Sequence, residues 1–570
     1  MERRTFLKIL SSAGIVSLVS PTFAMEVCKN KVSKSSSALL ESAFRNPPFS
    51  SGVYTWWHWM NGNITKDGIT RDLEAMKANG IAGYQLFEAG SGIPIGPVES
   101  LSDEWVDLIL HTLKESERLG LEFAMHNCPG WSSSGGPWIT PDKAMQIITW
   151  SETKITGGKQ VRIQLPTPKH MFDYYIDTYC LAIPANMKVI PRLSILELSN
   201  RLDKDGVLTW DVPTGEWLIM RFGQTAKDQK NKSAPSKSTG LDCDKFSTEA
   251  LDYHLNCMFK RLMPTMEKIA KHSKIGLLID SYETGDQDWT SDMPAYFEQS
   301  HGYELYPFLP VLANKIVESE ESTKRFLFDF RRVRADMFAE RYYGHFQKRC
   351  KEKGIITYTE PYGGNMMEEL QVAQQLDINM GEFWCGQTVL WANYKYNRTV
   401  KQVASIVHTL GGKVVGAEAF TSEPDADKWL QYPYALKSLG DYMFTRGLSR
   451  IYFHRFAHQP HPTAAPGMTM GAWGLHFDRT NTWWKPGKAW IEYLNRCQYI
   501  FQSSTFYGDI LYHNGDDSFG STIEPEQTLL APPEGYDYDM VNTEMLDKAH
   551  IKDGKILFPA TRFDGYKLLV

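Results

Sequence analysis

Three short stretches place carboxylates where they could do chemistry: LLIDSYETGDQDWT around Glu283, NMGEFWCGQ around Glu382 and KVVGAEAFTSE around Glu418. Two of them begin as a clear apolar or β-branched run. All three set a Glu where a strand should give way to a loop, and in a barrel of parallel strands that edge is the catalytic face. Breaking a glycosidic bond needs an acid to protonate the leaving oxygen and a second carboxylate on the opposite side of the sugar ring. If the second activates water, the pair sits roughly 6.5–9.5 Å apart and configuration inverts; if it attacks directly, about 5–5.5 Å suffices. A single Glu after a strand is more often a surface or salt-bridging residue. Three on one rim, each near Trp or Tyr, favour catalysis, and Glu360, Glu88 and Glu423 are further candidates that spacing does not rank.

Polar and aromatic residues at the same strand ends are candidates for holding sugar hydroxyls. They are Trp57, His58 and Asn61 after the first strand, and His126 and Asn127 after the third. Tyr282 lies beside Glu283, Gln387 beyond Glu382, and His454 and Gln459 after the last strand. One His alone is more often a structural hydrogen-bonder; several around one mouth suit a carbohydrate better. No His-Glu-x-x-His motif and no Gly-x-Ser-x-Gly elbow occurs, which disfavours zinc-peptidase and serine hydrolase chemistry. The eight cysteines are scattered without a Cys-x-x-Cys pair, so a cysteine-built zinc site is disfavoured too.

These residues need a frame, and the chain supplies an alternating one. Strand-like runs fall at Val53–Trp57, Ile81–Phe87, Glu122–Met125, Ile275–Ile279, Gly354–Thr359, Asp377–Glu382, Lys413–Ala417 and Arg450–Phe453. Helical patterns separate them: Lys66–Asn79, with Ile69, Leu73 and Met76 on one face, Asp103–Leu119, Glu249–Lys271, Ser322–Lys351, Met367–Leu376, Arg398–Leu410 and Lys428–Arg446. Eight strands joined through helices predict an α/β fold, a (β/α)8 TIM-like barrel. The rhythm breaks between about Gln146 and Phe222, where short alternating strands predict an inserted antiparallel β-subdomain. The Lys/Ser-rich stretch Lys227–Ser238 reads as a solvated loop. The expected division is a leader over 1–24, barrel over 45–147, insertion over 148–225, barrel again over 226–505, and the start of a further, incomplete C-terminal domain over 506–570.

Composition bounds the possibilities. The chain has 570 residues, too many for one ordinary domain, with 42% hydrophobic and 22% charged residues and a net charge of −6. That mild acidity gives no support to nucleic-acid or membrane-surface binding. The 13% aromatic content fits a large core and stacking against sugar rings about equally well. At the N-terminus a twin arginine (Arg3-Arg4) precedes Phe6-Leu7-Lys8, an apolar run from Ile9 to Leu18, and a small-residue site near Ala24. This predicts a signal peptide of twin-arginine type and a periplasmic or secreted protein.

The segments WWHWMNGNITKDGITRDLEAMKANGI, NCPGWSSSGGPWI, DSYETGDQDWT, GEFWCGQ, GAEAFTSE and HRFAHQPHPTAAPGMTMGAWGLHFDRTNTWW together resemble glycoside hydrolase family 106, the bacterial α-L-rhamnosidases. The resemblance runs from about residue 45 to 510. It implies a barrel catalytic domain, an oligosaccharide or polysaccharide substrate of pectic type or a rhamnoside, inversion at the anomeric carbon, and a calcium ion helping to hold the rhamnose. By motif it makes Glu283 the general acid and Glu418 the general base, with Glu382 assisting at the water; it does not give the calcium ligands. Two alternatives stand beside it: a truncated product that binds carbohydrate without turnover, and a retaining barrel glycosidase of another sugar.

Overall fold

The computed structural model of the chain describes residues 34–131, 134–385, 389–422, 429–470, 474–515 and 522–570. The expected leader and the candidates Gln387 and Glu423 lie outside the described residues. Eight parallel strands close into a barrel: β1 (Tyr54–Met60), β2 (Gly83–Ala89), β3 (Glu122–His126), β4 (Ile275–Ile279), β5 (Ile356–Thr359), β6 (Ile378–Cys385), β7 (Gly416–Ser422) and β8 (Arg450–Ala457). Every strand pairs with its neighbours in chain order, and β8 closes on β1. Each of the eight runs expected from the sequence overlaps one of these strands, but β6 and β7 continue past Glu382 and Glu418, which lie within the strands and not at their ends.

The helices between them form for local reasons. Helix α1 (Lys66–Ala78) is capped by Thr65, whose side chain accepts from the Gly68 N–H, and it buries Ile69, Leu73 and Met76. Helix α2 (Asp103–Leu119) starts on Ser102, carries Asp103 and Glu104 in its first turn, and stops at Gly120 in the left-handed conformation. The single helix expected over Glu249–Lys271 is two, α3 (Thr248–Phe259) and α4 (Met263–Ala270). Pro264 sits in the first turn of the second, where its missing N–H is tolerated, whereas mid-helix it breaks the ladder. Pro433 likewise delays the helix expected from Lys428 to Pro433–Thr445.

The inserted β-subdomain is present as expected. Gln146–Thr156, Glu216–Ala226, Ile176–Pro184 and Leu196–Glu197 form an antiparallel sheet, flanked by the pair Lys159–Gln164 and Val207–Val212. One face packs a small core of Ile155, Leu165, Leu208, Trp210 and Ile219; the other joins the main core through Ile148, Leu181, Met220 and Phe222. At the far end, Ile510–His513 pairs in parallel with Tyr538–Val541 and Leu568–Leu569. That small sheet buries Leu511, Met540 and Tyr566 together with Ile406 of the helix Val389–Thr409. Among the described residues no helix is long and apolar enough to cross a membrane.

Candidate active site

Strand parity decides which side chains enter the barrel. In β6, Met380 joins the inner cluster and Phe383 the outer one, so Glu382 points inward. In β7, Ala417 and Ala419 pack outward, and Glu418 points inward between them. The two strands align Glu382 directly with Glu418. Gly381 permits this, because a Cβ there would lie 2.6 Å from the backbone nitrogen of Val400 in the covering helix. Leu278 and Tyr358 face inward, so Asp280 and Glu360, one residue past β4 and β5, enter the same layer. Four consecutive strands thus deliver four buried carboxylates, with exposures of 3% for Asp280, 0% for Glu360, 8% for Glu382 and 5% for Glu418.

The remaining strands complete the layer differently. His58 from β1 and His126 from β3 both stack on Phe87 of β2, each with ring centroids 5.1 Å apart. His454 of β8 meets Trp56 edge-on at 5.2 Å and places Nδ1 3.7 Å from Glu418 Oε1. Below this layer Tyr54, Trp56, Tyr358, Met380 and Tyr452 fill the barrel.

Burial controls the charges. It raises Glu418 well above the usual carboxylate range, reinforced by Glu382 and Asp280, with the Thr421 hydroxyl donating to Oε1 in partial compensation. Burial also raises Glu360, reinforced by Asp280, Glu418 and Glu382, although Tyr362 donates to its Oε2 at 2.5 Å. Asp280 is raised by burial and by Glu283, against a bond from the Ser281 N–H at 2.9 Å. Glu382 accepts from Trp384 Nε1. Four such acids cannot all be ionised, so they hold protons among them. The imidazoles shift the opposite way: burial pushes His58 and His454 well below their usual value, with Arg455 adding to both.

Glu283 sits apart from this cluster. It stands on the loop after β4 with its side chain 38% exposed, and Lys232 Nζ lies 2.6 Å from its Oε2. It is close enough to the layer to raise both Asp280 and Glu418.

Several expected sugar contacts are placed otherwise. Trp57 is corrected: it alternates outward from Trp56, is fully buried, and packs on Tyr84 and His458 with Nε1 donating to Asp72 at 3.2 Å. Asn61 adopts a positive φ of 48° and donates to the Ile93 carbonyl, holding a turn. Asn127 donates to the Leu278 carbonyl and accepts from Ser134, and Tyr282 is buried against Phe338 with its hydroxyl on the Gly285 carbonyl. Gln459 bonds the Ala457 carbonyl and both backbone groups of Met468, which ties down the loop after β8. Through these bonds the four residues hold the backbone of the mouth. Glu88 points out of the barrel, accepting from Ser100 at 2.7 Å, and burial raises it to about 7.

Two features had no reading as site residues. Asp280 ends the apolar run LLID, and a charge at the end of a buried strand was its signal. Trp131 is half-buried and packs on both the inner cluster and a patch of Met60, Ala89, Ile93 and Met470 at the mouth. The loop 227–238, expected to be solvated, is anchored. Asn231 is 2% exposed and bonds the carbonyls of Pro129 and Ser238 and the Gly240 N–H. Gly90 and Trp131 donate to the carbonyls of Ser233 and Lys232, so the loop is fixed along the mouth.

A parallel barrel that gathers buried acids opposite an aromatic wall, with one more acid at the rim, has the architecture of a glycoside hydrolase. The chain belongs to glycoside hydrolase family 106: the family model, described as alpha-L-rhamnosidase, matches residues 45–174 and 169–570. It is 40% identical over 552 residues to a protein of Formosa agariphila named "Putative beta-glucuronidase", covering 91% of this chain and 46% of that protein. The chain therefore spans about half the length of that curated relative. The solved structure of a rhamnosidase from Novosphingobium sp. PP1Y superposes with a TM-score of 0.85 at 23% identity, covering 93% of this chain and 67% of that one. At that identity the likeness speaks for the fold.

Proposed function

We propose that the chain hydrolyses terminal α-L-rhamnosyl residues from pectic glycans or rhamnosides with inversion, Glu283 giving a proton to the leaving oxygen and Glu418, paired with Glu382, activating the water. The observation that supports this is the arrangement of acids: Glu418 and Glu382 in register inside the mouth, and Glu283 apart from them, half-exposed on the loop after β4. Protons held by Asp280 and Glu360 let the Glu382–Glu418 pair carry the charge a base needs. A neutral 6-deoxy sugar suits this layer better than a uronic acid does, because its four acids cannot pair with a carboxylate and burial keeps His58 and His454 from carrying the charge that could. That argues against a glucuronide in the same position, despite the relative's name.

Calcium belongs to this proposal as an expectation only. Among the described residues no three His, Cys, Asp or Glu side chains converge on one point. A hard cation would need backbone, hydroxyl or sugar oxygens as well, and no step here passes through it. If calcium holds the sugar, excess chelator abolishes turnover and calcium, not zinc, restores it. Export by the twin-arginine segment is likewise proposed, and cell fractionation reads it out.

One feature favours exchanging the roles: Glu418 is the buried acid whose surroundings retain a proton, while Glu283 holds an ammonium. The deciding experiment compares Glu283→Gln on an activated aryl α-L-rhamnoside and on a rhamnosyl disaccharide, with the product anomer followed by NMR. As the acid, Glu283 loses about 10²–10⁴-fold on the disaccharide and far less on the aryl substrate, which needs little protonation. Equal losses on both move the acid role to Glu418.

A further inference from the structure

We infer that Lys232 selects substrates whose leaving-group sugar carries an anion, a carboxylate or a sulfate ester, and that in binding that anion it releases Glu283 for proton donation. The inference rests on Glu283 being the acid. Whatever touches that acid from the solvent side stands beside the leaving group, since the acid must reach the bridging oxygen. Lys232 is in that place: its ammonium is 2.6 Å from Glu283 Oε2, and its side chain is 53% exposed.

The backbone that carries it is built for the purpose. Asn231, next to it, is buried and bonded on three sides. The Lys232 carbonyl itself accepts from the Trp131 N–H at 3.2 Å, and Ser233 holds a positive φ of 62° while accepting from Gly90. Lys227 ties the same segment to the loop after β4 through the Asp286 carbonyl at 2.5 Å. A loop fixed at β2, β3 and β4 thus offers one long flexible side chain to the space outside the acid. Lys230, its neighbour, pairs with Asp228 at 3.7 Å.

The geometry also poses a problem that an anionic substrate solves. The oxygen holding the Lys232 ammonium cannot at the same time present a proton to the leaving group. A carboxylate or sulfate on the leaving sugar competes for the ammonium, swings it off Glu283, and leaves that oxygen to take a proton from solvent water and present it to the bridging atom. The interior of the mouth is lined by acids, so the anion has no better seat than this rim cation.

The test uses the full chain and four substrates: a rhamnosyl uronic acid disaccharide, its methyl ester, a rhamnosyl sulfated sugar and an aryl α-L-rhamnoside. The wild-type protein is expected to prefer the uronate over its methyl ester by about tenfold or more in kcat/KM, with the ratio shrinking as salt screens the charge. Lys232→Gln brings that ratio close to one and Lys232→Arg keeps it. A preference for the sulfate in place of the carboxylate, lost in the same variant, also supports the inference and identifies the anion. Cleavage of the aryl rhamnoside without any charge preference, or a preference that survives Lys232→Gln, overturns the inference and leaves the proposed activity standing. No turnover of any rhamnoside by the wild-type protein overturns both. Should Lys232→Gln fail to fold, the salt dependence of the wild-type ratio decides.

Discussion

The inner layer of the mouth divides into two arcs. From β8 through β1 to β3 it runs His454, His58, Phe87 and His126; from β4 to β7 it runs Asp280, Glu360, Glu382 and Glu418. Both arcs are buried to a similar depth, and burial disfavours charge in either. Burial moves protons in opposite directions in the two, lowering His58 and His454 and raising Asp280, Glu360 and Glu418. A mouth built this way carries little fixed charge until a substrate orders the protons. The catalytic charge therefore belongs to the cluster as a whole, and the surroundings of one residue do not set it alone.

The strongest way to break the comparison is to remove the acid arc's in-register member. Glu418→Ala should lower kcat by about 10⁴-fold, at the upper end of what one acid or base supplies. A loss below tenfold, measured on a protein with unchanged circular dichroism, means the arc's chemistry lies elsewhere. Next comes the centre of the other arc. Phe87 is held between two imidazoles, so Phe87→Ala should cost about 3–5 kcal/mol of stability through the cavity it leaves. Urea denaturation measures this, and a cost under 1 kcal/mol would show that the imidazoles stand without it.

How much of this was legible in the sequence differs between the arcs for a physical reason. On the acid side, runs such as IGLLI and GAEAF mark the strand, and the Glu that ends or interrupts it stands out. Asp280 closes the run Leu277-Leu278-Ile279, and there its carboxylate is less conspicuous than that of Glu283 three residues on. On the aromatic side β1 reads YTWWHWM, with every position bulky, and no polar alternation tells which Trp faces inward. Trp57 was chosen where Trp56 is the inner residue. The loop after the insertion looked solvated because its exposed lysines dominate its composition. What fixes it is the buried amide of Asn231, whose partners Pro129 and Ser238 are 102 and 7 residues away. Composition cannot report contacts of that range.

The arcs also make opposite contributions to stability against pH, which sharpens the comparison. His58 and His454 have folded values below 6.5, so their contribution is full above 6.5 and is lost as pH falls through the lowered values. Glu360 has a folded value raised above 4.5, so its contribution is full below 4.5 and is lost as pH rises through the raised value. Glu360→Gln should therefore flatten the alkaline limb, its Tm falling less than that of the wild-type protein between pH 6 and 9. An unchanged slope would mean that other groups carry that limb.

The smallest effect expected comes from an acid that lies outside both arcs. Glu88 is the last residue but one of β2 and faces outward, where it accepts from Ser100. Burial raises it to about 7 from an ordinary 4.5. Its contribution to stability is full below 4.5 and is lost as pH rises through about 7, so Glu88→Gln should remove a shallow decline in Tm that runs between those two values. Its distance from the sugar site predicts kcat within about twofold of the wild-type value, well under the 10²-fold floor for an acid or base in the reaction. Differential scanning fluorimetry across pH 5–9, beside kcat on an aryl rhamnoside, separates the two readouts. A large fall in kcat with an unaltered stability profile would place Glu88 inside the reacting layer. Strand parity, the rule by which the four acids of β4 to β7 were assigned to the mouth, would then fail at β2.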